Sequence, residues 1–510
     1  MRKIVTLFLI NCSVLLVNAQ RYDNTWLWGI YPQNQNDTQY VFHGNAEGTF
    51  VNDSFVSEAR FRGMTFSEMN SSISDPVTGE LLFYTNGLCI RDTSGQIIEN
   101  GDSLNYGRFW HPEDGAFGGR GPWCLLTLPV PDKDSLYKII YNRTDDLTLG
   151  SMCYTDVLVS ETNIKVLDKD VQFSNVNPEF GGVAACKHAN GRDWWVIFSE
   201  ADTNCFHKYL LTPDTFMFHS IQCYGRVIDI ADLTKNAFAP DGSKLVRTAL
   251  YGASDLFDFD RCSGELSNFF PLDTFIVNDS ANTVLDGVNS AEFSFDNRFL
   301  YLNTSYFVLQ YDLQASDINL SKDTIIESDY FVDTFWHNTG PYVFDLSQIG
   351  PDGNIYVGPG FAQRFFTTIN NPNGMGDSCD LRLRNVVVPK WIELTIPYSP
   401  NYRLGRLPGS ACDTIYSDIK PIYTQTPWLK VYPNPATDVV RFDYNWVEWD
   451  AVGDCQLVLA DLQGRVVLSQ TIPKYSSRQE VNIKELAAGV YTASVQSGEK
   501  RIAVCKVVKE

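Results

Sequence analysis

The run Pro351-Asp352-Gly353-Asn354-Ile355-Tyr356-Val357 decides how this chain is read. A φ-locked proline, an aspartate able to accept from its own downstream backbone, and a glycine make a tight turn. The apolar, β-branched and aromatic residues behind it make a strand. Pro240-Asp241-Gly242-Ser-Lys-Leu-Val repeats the pattern, and Phe295-Asp296-Asn297-Arg-Phe-Leu-Tyr-Leu is a degenerate copy. Looser versions are Gly79-Glu-Leu-Leu-Phe-Tyr-Thr, Asp134-Ser-Leu-Tyr-Lys-Ile-Ile-Tyr and Gly191-Arg-Asp-Trp-Trp-Val-Ile-Phe. The turns fall at 79, 134, 191, 242, 297 and 353, in steps of 55, 57, 51, 55 and 56 residues.

A second strand pair with its own acidic turn follows several of these, as in Phe257-Asp-Phe-Asp-Arg-Cys-Ser-Gly-Glu-Leu and Leu309-Gln-Tyr-Asp-Leu-Gln-Ala-Ser-Asp-Ile. Four short strands in about 55 residues make one propeller blade with its loops. A blade cannot bury both faces alone, so several must stack around an axis. Six copies lie between Met64 and about Asn373. A seventh blade is expected from the two ends of the segment, with Gln39 to Phe50 and Asp380 to Ile396 as its candidate strands, which would leave no open edge. The fold expected over residues 20–420 is therefore an all-β propeller of seven blades.

The N-terminus supplies an address. Arg2 and Lys3 precede a mostly apolar stretch from Ile4 to Val17, and Val17-Asn18-Ala19 places small residues where a signal peptidase cuts. Residues 1–19 read as a signal peptide, too short to span a bilayer, and no later window supplies a transmembrane segment to the mature chain. Export places the cysteines in an oxidising compartment. Cys12 leaves with the signal and eleven remain, nine before residue 427 and two after (Cys455 and Cys505), for which a mutual bridge is one guess. No CxxC pair is present, which argues against a zinc knuckle or a thioredoxin-type site.

The net charge is −21, yet the last 84 residues balance ten Lys/Arg against ten Asp/Glu and the signal carries +2. The middle segment therefore carries all the acidity. That excludes nucleic acid as a natural partner, since phosphates require a basic face. It is compatible with calcium or a cationic partner, although none of the Asp-rich turns (Pro131 to Asp134, Asp255 to Asp260) matches the twelve-residue calcium loop, and turn-forming is the reading preferred for them.

Pro421 to Pro427 reads as a linker, taken as 421–428, and residues 429–510 as a separate unit. Six strand-like runs follow Leu429-Lys-Val-Tyr-Pro-Asn-Pro, joined in one place by the hairpin signal Asp461-Leu-Gln-Gly464, which suits a small β-sandwich. Tyr432-Pro433-Asn434-Pro435, Asp461-Leu-Gln-Gly464-Arg-Val-Val, Leu486-Ala-Ala-Gly489-Val-Tyr491 and the closing Lys506-Val-Val-Lys resemble the type A C-terminal sorting domain of the type IX secretion system of Bacteroidetes. The resemblance implies Sec export to the periplasm, a tag read by the type IX machinery at the outer membrane, and a cargo secreted or held at the cell surface, usually without its tag. The segment from Met64 to Asp413 is similar to a propeller-like domain that accompanies such tags. Its pieces include Lys187-His-Ala-Asn-Gly-Arg-Asp-Trp-Trp-Val and Asn401-Tyr-Arg-Leu-Gly405, and it implies architecture rather than chemistry.

Candidate chemistry is sparse. The six histidines (His43, His111, His188, His207, His219, His337) form no HExxH, and there is no GxSxG elbow or Walker loop. No catalytic pair and no metal ligand is nominated. The stretch from Arg108 to Trp123 is the most suggestive: Trp110, His111, Glu113, Asp114, Arg120 and Trp123 stand among four glycines, and aromatics with arginine are common binding anchors. It is expected to cap the channel mouth and hold a sugar or a peptide. The leading expectation is a secreted or cell-surface binding module for glycan or protein. The alternative is a propeller hydrolase or lyase acting on polysaccharide, and fold alone licenses neither.

Overall fold

Gly242 and Gly353 sit at φ +74° and +81°, and Asn297 holds the same left-handed position at +62°, which explains why the repeat demands glycine or asparagine there. The turn closes alike each time. Gly242 N–H donates to the Ala239 carbonyl at 2.7 Å, Gly353 to Gly350 at 2.9 Å and Asn297 to Ser294 at 3.0 Å. Asp241, Asp296 and Asp352 each accept from the N–H two residues on. The sequence repeat is thus a repeat of one backbone-capped turn.

The computed structural model describes residues 20–413 and 428–510, except 30–42, 53, 67, 106–118, 120, 146–147, 229–233, 251–253, 273–275, 280–281, 286, 334–337, 342, 393, 446–454, 462, 473–477 and 498–499. The expected signal peptide and all of the expected linker but Trp428 lie outside the described residues. Two compact units divide between Asp413 and Thr414.

The first unit is a seven-bladed propeller. Blade I comprises Thr25–Trp28, Ala46–Val51 and Ser54–Ala59; blade II comprises Ser71–Ser74, Leu81–Thr85 and Ile90–Asp92. Blade III is built on Leu125–Pro129, Leu136–Asp145 and Thr148–Val159, with Ile164–Val166 and Val171–Ser174 both on its outer edge. Blades IV to VII are four-stranded antiparallel meanders that begin with Pro178–Lys187, Thr234–Phe238, Val288–Phe293 and Phe344–Ile349. The first strand of each blade packs against the first strand of the next, and the last strand of blade VII, Leu381–Ile392, packs against blade I. Trp26 and Trp28 complete the ring by packing edge-on against Tyr356 and Phe366 of blade VII, at 5.3 and 5.8 Å.

The seventh blade differs from the expectation of one sheet mixed from both ends. Ala46–Val51 belongs to blade I, whereas Leu381–Ile392 pairs only within blade VII. Thr25–Trp28 runs antiparallel to the neighbouring inner strand of blade II: Ser72 Oγ donates to the Thr25 carbonyl and Asn70 Nδ2 to that of Leu27. Asn70 Nδ2 also donates to Thr395 Oγ1 at 3.1 Å. Blade I therefore enters one strand late, and residues from the C-terminal end of the unit lie on its axial side without joining its ladder.

The second unit has a three-stranded sheet (Trp428–Tyr432, Val439–Asn445, Arg478–Asn482) and a four-stranded one. The latter orders Val466–Ile472, Cys455–Ala460, Gly489–Ser497 and Lys500–Lys509. Leu429, Phe442 and Val481 of the first sheet share a core with Leu457, Val495 and Val507 of the second, as a sandwich requires. Cys455 pairs across from Ser497 and Cys505 across from Ala493, so they stand at different levels and on strands that are not adjacent, and no bridge joins them. Two disulfides form in the propeller instead, Cys205–Cys223 and Cys262–Cys412.

Candidate functional site at the propeller axis

Residues 394–413 leave blade VII and enter the axial channel. Tyr398 OH donates to the Asn236 carbonyl of blade V at 3.2 Å, and Tyr402 OH to the Thr127 carbonyl of blade III at 2.6 Å. Gln348 of blade VII donates to the Ser399 carbonyl at 3.2 Å, and Asn401 Nδ2 to that of Pro240 at 2.8 Å. Ile396, Tyr398 and Tyr402 are all buried within the main core. Pro397 and Pro400 keep the segment out of any ladder, so it is held by side chains.

The segment then leaves the axis across the face that carries the repeated turns. Arg403 forms a two-pronged ion pair with Asp23, at 2.6 and 2.8 Å. The Arg261 guanidinium gathers the carbonyls of Lys187, His188, Asp241 and Gly405. Leu407 N–H donates to the Ala189 carbonyl at 2.8 Å. Cys412 ends this strap in its disulfide with Cys262, on the turn between the third and fourth strands of blade V.

Below the strap, the Lys235 ammonium of blade V joins the Glu292 carboxylate of blade VI and donates to the Ser347 carbonyl of blade VII at 2.7 Å. Burial pushes the Glu292 carboxyl up and the Lys235 ammonium down, and each opposes the other's shift by attraction. Between the strap and blades IV to VII remains a cavity of about 90 Å³. Its walls include Phe238, Phe293, Phe295, Pro351 and Leu404, with Glu292, Gln348 and Tyr398 also in its lining and the Asp23–Arg403 pair at its side.

Of the six candidate binding residues, only Trp123 is described; Trp110, His111, Glu113, Asp114 and Arg120 lie outside the described residues. Trp123 is buried at the start of blade III, and its ring centroid lies 5.3 Å from the Lys235 ammonium. It is a core residue rather than an exposed anchor, with φ +55° just before the inner strand that starts at Leu125. Gly121, beside it, donates to Glu68 at 2.6 Å.

Three carboxylates of the Asp-rich stretches meet cations of the chain itself, Asp132 reaching Arg192 at 3.4 Å. Asp255 pairs with Arg226, and Asp258 with Lys244. Among the described residues no group of three or more His, Cys, Asp or Glu is placed to hold a metal ion. His207 bonds Glu200 at 2.9 Å and stacks on Phe198, and His188 reaches the Cys262 carbonyl.

In the second unit Asn434 clamps the closing strand: its Nδ2 donates to the Lys506 carbonyl at 2.8 Å and its Oδ1 accepts from Val508 N–H at 2.7 Å. Tyr432 and Pro433 lead into this clamp and Pro435 leaves it. Gly464 takes φ +80° in the Asp461 turn, Gly489 opens a strand, and Tyr491 OH donates to the Ala487 carbonyl at 2.7 Å.

The sequence reading missed the strap and the cavity. The available signal was the run Thr395-Ile-Pro-Tyr-Ser-Pro-Asn-Tyr402, apolar and aromatic yet interrupted by two prolines. Such a run is too greasy for a surface linker and unfit for a strand.

Residues 430–510 match the family described as the secretion system C-terminal sorting domain. The second unit is a type IX secretion sorting domain, and the chain is a cargo exported to the cell surface or secreted. Among the described residues no helix is long and apolar enough to cross a membrane. No curated protein matches the chain.

Among solved structures, the chain is similar to PorZ, a surface component of the type-IX secretion system of Porphyromonas gingivalis (9% identity, 91% of this chain and 68% of that one, TM-score 0.31). It is also similar to the periplasmic gluconolactonase PpgL of Pseudomonas aeruginosa (11%, 90% and 98%, 0.35) and to the Dos1 propeller (10%, 66% and 87%, 0.33). At these scores the likenesses carry no argument about activity.

Proposed function

We propose that the propeller is a binding module delivered to the cell surface or beyond it, with a protein or a glycan as ligand, and that it is not a polysaccharide hydrolase or lyase. One observation carries this reading: the axis, where side chains from several blades converge, is filled by the chain's own Thr395–Tyr402. Among the described residues, the cavity beside it is about 90 Å³, well below the ~300–1,000 Å³ of ordinary small-molecule sites. The carboxylates that line it, Asp23 and Glu292, are each engaged by a cation, Arg403 and Lys235. A glycosidase instead needs two carboxyl groups free to flank a sugar bond. Glycan and protein arrays probed with the full mature chain test the reading, alongside incubation with polysaccharides. Retention without turnover is the expected result, and release of sugar from any polysaccharide would refute it.

A further inference from the structure

We infer that the strap-side mouth of the channel, between blades V and VII, is a docking site for a basic polypeptide segment bearing one bulky apolar side chain. This rests on the binding reading above and gives it a place and a ligand class.

Four observations converge. The cavity is walled by Phe238, Phe293 and Leu404 and is about the size of one side chain. Phe295, in the turn of blade VI, also lines it and is 63% exposed, an uncommon position for a phenylalanine in a tight turn. Beside that turn, Asp296 N–H donates to the Asn373 side chain at 3.1 Å, and Met375, two residues further on, is 62% exposed. The apolar surface thus continues outward from the cavity.

The fourth observation is charge. Asp241, Asp296 and Asp352 each follow directly a residue that lines the cavity: Pro240, Phe295 and Pro351. Asp241 and Asp296 are exposed and cap their own turns; the Arg261 guanidinium attracts Asp241, and Arg298, held by Asp312, lies near Asp296. Inside the mouth the Asp23–Arg403 and Glu292–Lys235 pairs cancel. Asp296 and Asp352, with Asp241 offset in part by Arg261, leave the rim net negative around an apolar recess. A neutral sugar would leave this charge unanswered, whereas a Lys/Arg-bearing segment complements it while its apolar residue fills the recess, which is the usual division between rim and anchor.

The test uses the full mature chain and fluorescein-labelled heptapeptides read by anisotropy: Lys-Lys-Lys-Phe-Lys-Lys-Lys, the same peptide with Ser for Phe, and an all-Glu counterpart with Phe. The Phe-bearing basic peptide should bind at least about tenfold more tightly than either control. Asp241→Asn with Asp296→Asn keeps the turn acceptors and removes two charges. It should weaken binding about five- to tenfold at 50 mM salt and less at 200 mM. Phe295→Ser, at an exposed site, should cost a similar factor at both salt levels, with the unfolding temperature unchanged.

Equal binding by the wild type and both variants would overturn the site, as would equal binding of the Phe and Ser peptides. A concentration-dependent dimer abolished by Phe295→Ser would overturn the occupant in favour of a second copy. Array binding that ignores these variants would sink this site and leave the binding module standing. Turnover of polysaccharide would sink the module itself.

Discussion

Tyr402 OH donates a 2.6 Å hydrogen bond to the carbonyl of Thr127, 275 residues earlier in the chain. Thr127 lies on the inner strand of blade III, whereas Tyr402 has already left blade VII. The bond therefore ties the end of the unit across the axis to the middle of the ring. Together with Tyr398 on Asn236 and Gln348 on Ser399, it replaces the shared-strand closure that the sequence suggested. A propeller closed by a shared strand is held by a ladder; this one is held by buried tyrosines and amides, each of which can be removed singly.

Tyr402→Phe should cost about 1 kcal/mol, the net worth of one buried hydrogen bond. Tyr402→Ala should cost about 3–5 kcal/mol through the cavity it leaves. Denaturant midpoints for the two variants distinguish strap from ornament. If Tyr402→Ala unfolds at the wild-type midpoint, the strap is not part of the propeller's core.

The two disulfides differ in the length of chain they close. Cys262–Cys412 spans 150 residues and Cys205–Cys223 spans 18. A crosslink restricts the unfolded chain more when its loop is longer. Replacing both Cys262 and Cys412 with Ser should lower the thermal midpoint more than the same change at Cys205 and Cys223. The expected losses are on the order of 4–5 and 3 kcal/mol. Calorimetry of both double variants settles the order, and the reverse order would mean that the strap stays docked without its staple.

What the sequence disclosed follows from where each element keeps its information. Gly242, Asn297 and Gly353 announce the blades because a left-handed residue and a two-residue aspartate cap are both local. The Asn434 clamp announces the second unit because the motif around it is contiguous. The strap stayed hidden because nothing local defines it. Thr395 meets Asn70 across 325 residues and Arg403 meets Asp23 across 380, and no periodicity links either pair. Phe295 and Asp296 were legible as a turn, but not as the edge of a cavity, because its other walls come from three other blades and the strap.

Glu179 and Arg247 form an ion pair with both side chains fully buried, between blades IV and V. Removing one partner leaves a buried charge unanswered. Glu179→Gln or Arg247→Met alone should cost about 3–5 kcal/mol, while the double change should recover much of that. A double-mutant cycle measures the coupling. Purely additive losses would show that the two charges are stabilised separately.

The Asn434 side chain makes two hydrogen bonds to the closing strand of the sorting domain. Asn434→Ala removes both and should destabilise that domain by about 1–3 kcal/mol. Export should fall with it if the tag is read as a folded unit. The measurement is the fraction of chain that reaches the medium or cell surface against that retained in the periplasm. Normal export by Asn434→Ala would mean the machinery reads a linear signal.

Asp345, on the inner strand of blade VII, is pushed up to about 7 from an ordinary 3.8 by burial alone. The folded protein therefore holds this proton more tightly than the unfolded chain does. The sign follows: the contribution of Asp345 to stability is fully present below about pH 4 and is lost as pH rises through 7. Asp345→Asn fixes the neutral form. It should match the wild type near pH 4 and exceed it increasingly up to about pH 7, by about 1.4 kcal/mol per pH unit at most, with the gap constant above. Thermal midpoints of both proteins from pH 4 to 8 test this. A gap that does not vary with pH would show that Asp345 is ionised in the fold and answered by a cation.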